Sequence, residues 1–464
     1  IFLEAVRYFT GSNPTPAFTQ NVGTTDQLTG LNVQTWNDTL STDNYCAPLN
    51  IINFNGSVAS YDRDQLDSVS DIPGLTGVES LRSIVDEIGA SEGINGNNWF
   101  IGENDTVTNQ LCTSKTLSSL ADAVGLCPEA PRLSGGFDAA GLAHHAYTED
   151  LRPGLQGDQN IKTFAVALAP AVPRIDIPLP GTSDTAVTIL PACRNASIGG
   201  NCAIVDFKVV RQDLTNGTGK FLVNWEDSEQ GGDYDQDMWG VIDYTITDSA
   251  LTVTTRTGAE STTGRLGFGY VLSGTTKDGF HAHSGIEGFS YTDPTGVTGC
   301  NNCQVNDAAT SVTYTLNSGG ASDGLLQNPM LYAAKWGGYD KQANFPSDPE
   351  SWDANNDGLP DNYYFAIDPS KLATDLELVF ADILRSSSAA ASVAASSSSL
   401  STDTAVYQAS FNSENWSGDL RAFSIESDGS VAEIFDWSAG TELDNLTPGE
   451  VEARNIITND DVST

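Results

Sequence analysis

Residues 163–168 read TFAVAL, a short and nearly continuous apolar run. Two other runs have the same character, LNIINF at 49–54 and YYFAI at 363–367. Runs of this length and composition are typical of strands that are buried on both faces of a parallel sheet. Because parallel strands need crossover connections, the three runs predict an α/β layer with helices between its strands.

Apolar residues recur at helical spacing around these runs, at 78–88 and at 372–383. The second of these predicted helices has Asp368 as its expected N-cap and Pro369 in its first turn. A third helix is predicted over MLYAAKW, which follows Pro329 and ends at a glycine pair. The alternation of strands and helices favours an α/β fold.

The pattern changes to all-β between residues 169 and 327. Segments such as CAIVDFKVV at 202–210 and KFLVNW at 220–225 are rich in β-branched and aromatic residues. Several of these segments alternate with period two, and Gly, Asn and Asp separate them. We therefore predict an all-β insertion in the α/β fold, with the architecture of a sandwich.

A Ser- and Ala-rich stretch occupies residues 386–405. Its composition is typical of a flexible linker and also suits strands whose backbones approach closely, so both interpretations stay open. Residues 406–464 return to a β pattern, with hairpin-sized units at the spacing of propeller blades. A propeller needs about four to eight blades, so we expect the protein to continue past Thr464. We also expect it to begin before Ile1, because IFLEAVRYFTG at 1–11 already reads as a helix.

The chain is strongly acidic. Its 464 residues include 21 Lys and Arg against 61 Asp and Glu, which gives a formal net charge of −40. Such a charge repels nucleic acid and anionic membranes and makes cations the natural partners. No apolar run approaches the roughly 18 residues of a membrane span, so no membrane insertion is expected. Two interpretations of the acids stay open, a solubility coat and local clusters of calcium ligands.

Seven cysteines favour a location outside the cytosol. Spacing alone does not fix their connectivity, but three pairs are close enough in sequence to close local loops: Cys112 with Cys127, Cys193 with Cys202, and Cys300 with Cys303. Cys46 is left over, which indicates a partner outside the chain. The C-x-x-C spacing of the last pair also occurs in redox motifs, but here the strand-then-helix context of such motifs is missing.

Residues 352–364, WDANNDGLPDNYY, form the strongest local motif. Calcium prefers about six to eight oxygen ligands, and alternating positions of a loop can aim several oxygens at one point. The candidate ligands are the side chains of Asp353, Asn355, Asp357 and Asp361 and the carbonyl of Leu359, with Gly358 allowing the turn. Tyr364 stands where an EF-hand has a bidentate Glu, so we predict a stand-alone structural calcium loop; the alternative is a solvated acidic turn.

A second acidic cluster lies in WEDSEQGGDYDQDMW at 225–239 and contains no basic residue. Like charges this close repel one another, and a bound cation would relieve the repulsion. A second calcium site and an exposed acidic loop therefore stay open as interpretations. The candidate ligands are Glu226, Asp227, Asp233, Asp235 and Asp237, with Glu229 among them.

Signals of catalysis are weak. His281 and His283 with Glu287 are spaced for a transition metal, but no further His or Cys completes the site. The chain contains no H-E-x-x-H or phosphate-loop motif. We therefore predict that the chain is not an enzyme.

Several segments resemble known families. Four segments resemble, in their order, the last part of a von Willebrand factor type A domain. They read TFAVAL, YAAKWGG, YYFAID and LATDLELVFADIL. Longer segments resemble the PilY family of type IV pilus tip-associated adhesins. These segments are AYTEDLRPGLQGDQNIKTFAVAL at 146–168, WEDSEQGGDYDQDMWG at 225–240, GFGYVLSGTTKDGFHAHSGIEGF at 267–289 and FNSENWSGDLRAF at 411–423.

This resemblance implies a von Willebrand A-like domain and a C-terminal β-propeller. The A-like domain would comprise residues 1–168 and 328–385, interrupted by the all-β insertion at 169–327. The Ser- and Ala-rich connection at 386–405 would lead into the start of the propeller at 406–464. The chain lacks the Asp-x-Ser-x-Ser motif of type A metal sites, and Phe54-Asn55-Gly56 replaces the Thr-Asp-Gly turn of such domains.

The resemblance further implies an extracellular protein at the pilus tip on the bacterial cell surface. There it would prime pilus assembly, contact pilins and minor pilins, and bind a host or abiotic surface, with calcium as the expected cofactor. Two alternatives stay open. One is a structural subunit of an extracellular filament or surface layer, and the other is a secreted quinone-dependent enzyme with its site in a propeller beyond the chain.

Overall fold

The computed structural model describes residues 1–15, 36–55, 63, 66–168, 172–229, 235–317, 324–341, 343–366, 372–388, 393–395, 405–412, 417–424, 436–447, 449 and 451. The chain divides into two compact units, Ile1–Pro369 and Ser370–Thr464, and each is described by itself. The described residues form mostly β-structure, arranged in several sheets with few helices.

The elements are numbered in chain order. The helices are α1 (Phe2–Phe9), α2 (Val78–Ser91), α3 (Asp138–Thr148), α4 (Pro329–Trp336), α5 (Leu372–Ser388) and α6 (Ala439–Asp444). The strands are β1 (Leu49–Asn55), β2 (Asn98–Ile101), β3 (Thr113–Thr116), β4 (Ile161–Leu168), β5 (Ile175–Pro178), β6 (Thr185–Asn195), β7 (Gly200–Asn201), β8 (Ala203–Asp213), β9 (Thr218–Glu226), β10 (Met238–Ile246), β11 (Ala250–Glu260), β12 (Leu266–Ser273), β13 (Gly279–Gly285), β14 (Phe289–Tyr291), β15 (Cys300–Cys303), β16 (Thr310–Thr315), β17 (Gly324–Leu325), β18 (Tyr363–Ala366), β19 (Val393–Ala395), β20 (Ala405–Asn412), β21 (Ser417–Ser424) and β22 (Trp437–Ser438).

A parallel sheet of order β1–β4–β18 forms the centre of the α/β part. Its strands come from the three apolar runs, so the prediction of a parallel sheet from those runs is confirmed. The middle strand β4 is buried on both faces: Phe164 and Ala165 point in opposite directions and are both 0% exposed. This double burial explains why the run is continuously apolar.

The helices that the sequence predicted at 78–88 and after Pro329 are confirmed as α2 and α4. Helix α2 buries Leu81, Val85 and Ile88, each 0% exposed, along one face. Gly141 in α3 permits close packing against α2, because a Cβ at this position would lie 2.6 Å from Val85 Cγ2. Helix α1 adds apolar side chains to the same core as β1 and β4.

Two antiparallel sheets form a sandwich between β4 and β18. One has the order β16–β11–β10–β9–β8, and the other has the order β13–β12–β6–β5. Alternating residues of both sheets share one apolar core, in which Trp225, Phe268 and Tyr270 are almost completely buried. The predicted all-β segment between residues 169 and 327 is thus a sandwich, with two smaller sheets, β14–β15 and β17–β2–β3, elsewhere in the first unit.

The second unit contains α5, α6 and an antiparallel sheet of order β19–β20–β21–β22. Helix α5 confirms the helical spacing at 372–383, while its predicted cap, Asp368 and Pro369, lies outside the described residues. Part of the Ser- and Ala-rich stretch is strand β19, which pairs with β20. The predicted domain boundaries and the propeller stay predictions.

Candidate functional site

The predicted calcium loop lies directly before strand β18 and is held by its own backbone. Asp353 is buried, and its carboxylate oxygens accept hydrogen bonds from the N–H groups of Asp357 and Gly358, at 2.9 and 2.8 Å. The Asn355 side chain accepts from the same Asp357 N–H at 2.9 Å. Asp361 accepts from the N–H of the residue after Asp353 at 3.2 Å. These bonds fix a compact turn that presents oxygen atoms.

The donor set fits calcium by its chemistry, because every donor is an oxygen. Asp357 accepts a hydrogen bond from Leu359 N–H through Oδ1, at 2.8 Å, while its Oδ2 accepts none from a described residue. The side chains of Asn355 and Asp357 are exposed, so a cation can reach them. Among the residues that the structure describes, however, no three His, Cys, Asp or Glu side chains lie close enough together to hold a metal ion. Calcium at this loop stays a prediction.

The loop lies at the amino-terminal edge of the parallel sheet and is tied to its core. Asn362, which follows the loop, is buried and donates to the main-chain carbonyls of Thr163 in β4 and Ala334 in α4. The Lys335 ammonium lies over the ring of Trp352, at the start of the loop, 3.9 Å from the ring centroid, in a cation–π contact. Ligands of parallel α/β sheets bind at the opposite, carboxyl edge, so this position indicates a structural role for the loop.

The carboxyl edge of the same sheet is only partly described. The segments that follow β1, β4 and β18, at 56–62, 169–171 and 367–371, lie outside the described residues. Of the turn Phe54-Asn55-Gly56, the structure describes Phe54 and Asn55, which end β1, whereas Gly56 lies outside the described residues. The sequence-based expectation about type A metal sites stays a prediction.

The second acidic cluster connects the end of β9 to the start of β10. Glu226 is 1% exposed and accepts a hydrogen bond from the Ser228 hydroxyl at 2.5 Å. Glu229 accepts two hydrogen bonds of 3.0 Å from the guanidinium of Arg132, 97 positions earlier. This two-point ion pair uses the carboxylate of Glu229 for a tertiary contact. Asp233 lies outside the described residues.

The remaining acids of this cluster form hydrogen bonds with one another and with the loop. Asp237 Oδ2 accepts from the N–H of Asp227 at 2.9 Å, and Asp227 Oδ2 accepts from the Thr262 hydroxyl at 2.6 Å. Burial and the neighbouring carboxyl groups of Asp235 and Asp227 raise the pKa of Asp237. A second calcium site at this cluster stays a prediction.

The histidines of β13 belong to a buried hydrogen-bond network inside the sandwich. His281 Nδ1 lies 2.7 Å from Asp293 Oδ2, and both side chains are 0% exposed. His283 Nε2 lies 2.8 Å from the hydroxyl of Tyr270 and 3.0 Å from that of Tyr314. Burial lowers the pKa of His283 to about 4, so its ring is neutral at pH 7. The network gives both rings a structural role.

The sequence pointed to His281 and His283 but missed their partners. The alternating pattern HAH on a strand places both rings on one face, which is a signal available in the sequence. Glu287, the third candidate of that motif, has φ of 53° in the turn after β13. Tyr314 comes from β16, in the opposite sheet, so no local spacing indicates its contact with His283.

Three disulfides connect the cysteine pairs that are close in sequence: Cys112–Cys127, Cys193–Cys202 and Cys300–Cys303. Cys46 is free and exposed. Both half-cystines of the second bridge contribute to the apolar core of the sandwich.

Comparisons with known proteins identify the family. The family model described as "PilY1 homolog, second domain" matches residues 1–146, and the one described as "PilY1 homolog, beta-sandwich" matches residues 202–286. The Type IV pilus biogenesis factor PilY1 homolog of Xylella fastidiosa (strain Temecula1) is 26% identical over 513 residues, covering 96% of this chain. The chain belongs to the PilY family.

The match to the PilY beta-sandwich agrees with the structure, since residues 202–286 include strands β8 to β13 of both sheets. The chain spans about a third of the length of the curated PilY relative, 34%. No solved structure matches this PilY-family chain. In the described part of the chain, no helix has both the length and the apolar character that crossing a membrane requires.

Proposed function

We propose that this chain is part of a type IV pilus biogenesis factor that acts as an adhesin at the pilus tip. The observation that carries the proposal is the similarity to a relative named as a pilus biogenesis factor, which extends over 96% of the chain. Pilins and minor pilins at the filament tip and a host or abiotic surface would be its partners. The chain would have no catalytic activity of its own.

Three disulfides support a location outside the cytosol, because such bonds persist in oxidising compartments. An extracellular site on the bacterial cell surface follows from the proposed function, since a tip protein is exported with the filament.

We infer that the parallel sheet β1–β4–β18 and its helices belong to a von Willebrand A-like domain. Support comes from the parallel pairing and from the position of the sandwich, which is inserted in the chain between β4 and β18. The four-stranded antiparallel sheet β19–β20–β21–β22 has the size of one propeller blade and would begin the C-terminal propeller.

Calcium would stabilise the α/β part at the loop formed by residues 353–361. The support is the alternating oxygen donors, the buried carboxylate of Asp353 and the Oδ2 of Asp357, which accepts no hydrogen bond from a residue that the structure describes. Because Asn362 joins the end of this loop to β4 and α4, a cation bound there would stabilise the packing of the parallel sheet.

Deletion of the gene in the source bacterium tests the proposed function. Loss of surface pili with unchanged cellular pilin, restored by the wild-type gene, is the expected result, because a biogenesis factor acts after pilin synthesis. Normal numbers of surface pili and normal adhesion in the deletion strain would contradict the proposal.

A further inference from the structure

The outward face of the five-stranded sheet, opposite the sandwich core, carries a row of four aligned side chains. Lys208 in β8 pairs with Leu222 in β9, Leu222 with Val241 in β10, and Val241 with Arg256 in β11. Directly paired residues share a face. The neighbours of Leu222 on β9, Phe221 and Val223, point into the core, so the row faces outward.

Two more basic residues lie in the next row of the same face. Arg211 pairs with Lys220, and Lys220 pairs with Asp243 on its other side. We call Lys208, Arg211, Lys220, Leu222, Val241 and Arg256 the basic-apolar face. It holds four of the 21 basic residues of a chain whose formal net charge is −40. Three carboxylates, Asp206, Asp213 and Asp243, share the face, so its cations exceed its acids by one, in contrast to the acidic chain as a whole.

The cations of this face are largely available to a partner. Lys208 and Lys220 each have one exposed ion pair, with Asp206 at 3.1 Å and Asp243 at 3.2 Å. Exposed pairs of this kind contribute little to stability and exchange readily. Arg256 is exposed, and no hydrogen bond or ion pair joins it to a residue that the structure describes. Arg211 is also exposed and lies near the carboxylate of Asp213, with which it interacts electrostatically.

Apolar side chains lie between these cations. Leu222 and Val241 are only half-buried in the middle of the row. Beside them Trp239 lies over Gly258, where a Cβ would meet the indole at 2.4 Å, so the ring lies close against the sheet. An apolar centre flanked by charged groups is the arrangement found in protein interfaces.

The dimensions of the row define the partner. Neighbouring strands are about 4.8 Å apart, so Lys208 and Arg256 are separated by roughly 14 Å across three strand spacings. An extended chain advances about 3.3 Å per residue, and its residues i, i+2 and i+4 face the same way. A segment that crosses the strands can therefore place two carboxylates on the cations and one apolar side chain between them.

We propose that the basic-apolar face docks an extended acidic segment of another protein, with acids at i and i+4 and an apolar residue at i+2. Nucleic acid and anionic lipid are less suitable occupants, because the apolar Leu222–Val241 centre offers phosphate groups no hydrogen bonds and suits the apolar side chain of a peptide. This inference does not depend on the proposed function.

Fluorescence polarisation with the full chain tests the proposal. The probe is a fluorescein-labelled peptide with three tandem copies of Gly-Glu-Thr-Val-Thr-Glu-Gly. The double variant Lys208→Gln/Arg256→Gln should bind at least tenfold more weakly than wild type, and binding should weaken between 50 and 300 mM NaCl. Arg174→Gln, which removes an exposed arginine elsewhere, should bind like wild type. A peptide with Ser in place of Val should bind several-fold more weakly.

Three outcomes would overturn the proposal. The first is no binding of the Glu-Val-Glu peptide at 1 mM. The second is an equal loss of binding in Arg174→Gln, which would show attraction by overall charge alone. The third is binding of heparin or of phosphatidylglycerol vesicles, lost in the double variant, in the absence of peptide binding.

Discussion

Asn362 donates its side-chain amide to the main-chain carbonyl of Thr163, although 199 positions separate the two residues in sequence. The same amide donates to the carbonyl of Ala334 at the end of α4. One buried side chain thus connects the predicted calcium loop to strand β4 and helix α4. In the chain, the entire sandwich lies between β4 and β18, and this contact lies where these two strands pair in the parallel sheet.

Replacement of Asn362 by Ala should destabilise the first unit by roughly 2–4 kcal/mol, because two buried carbonyl groups lose their donor. Urea unfolding of the purified chain measures the change. Asn317→Ala, at an exposed position in the same unit, should change stability by no more than about 0.5 kcal/mol. Equal effects of the two variants would show that the contact contributes nothing specific.

Calcium should raise the melting temperature of the wild-type chain by several degrees relative to excess chelator. A ligand at 100 times its dissociation constant adds about 2.7 kcal/mol. Asp357→Asn should abolish most of this shift, because it removes a charged donor while Oδ1 can still accept from Leu359. Glu350→Gln, a nearby exposed acid outside the predicted ligand set, should keep the shift. A full shift in Asp357→Asn would mean that calcium binds elsewhere.

Acid should weaken the sandwich through His283. Burial lowers its pKa to about 4 in the folded protein, against about 6.5 in an unfolded chain. Between these values the unfolded state binds more protons, so stability falls as pH drops from about 6.5 to 4, by roughly 3 kcal/mol. His283→Gln should remove this component and flatten the pH dependence of urea unfolding. An unchanged slope in the variant would assign the acid sensitivity to other groups.

Removal of the Cys193–Cys202 bridge should destabilise the sandwich. The bridge joins residues nine positions apart, and closing a loop of this size is worth about 3 kcal/mol in the chain-entropy model. Cys193→Ser/Cys202→Ser should therefore lower the melting temperature. Cys46→Ser is the matched control, because Cys46 is free and exposed, and it should melt like wild type. Identical melting of all three proteins would show that the bridge is not formed.

The sequence predicts those parts of the fold whose burial leaves a periodic pattern. Phe164 and Ala165 lie on opposite faces of β4 and are both buried, so the run is apolar throughout and indicates a parallel strand. Leu81, Val85 and Ile88 give α2 its helical spacing for the same reason. The disulfides could be anticipated because short loops bring the cysteines together.

Long-range contacts leave no such pattern. The ion pair between Arg132 and Glu229 spans 97 positions, and Tyr314 reaches His283 from the opposite sheet. Glu226 is a candidate cation ligand by its spacing, and that role stays a prediction; the structure buries it at the end of β9, where it accepts a hydrogen bond from the Ser228 hydroxyl. Charge spacing alone does not distinguish such a residue from an exposed acid, because the distinction depends on how strands pair.

Immunogold labelling of sheared pili, with an antibody against the sandwich, tests the central claim most directly. A tip-associated biogenesis factor predicts label at one end of a filament and none along its length. Regular label along the filament would contradict the account, because it would make the chain a repeating structural subunit.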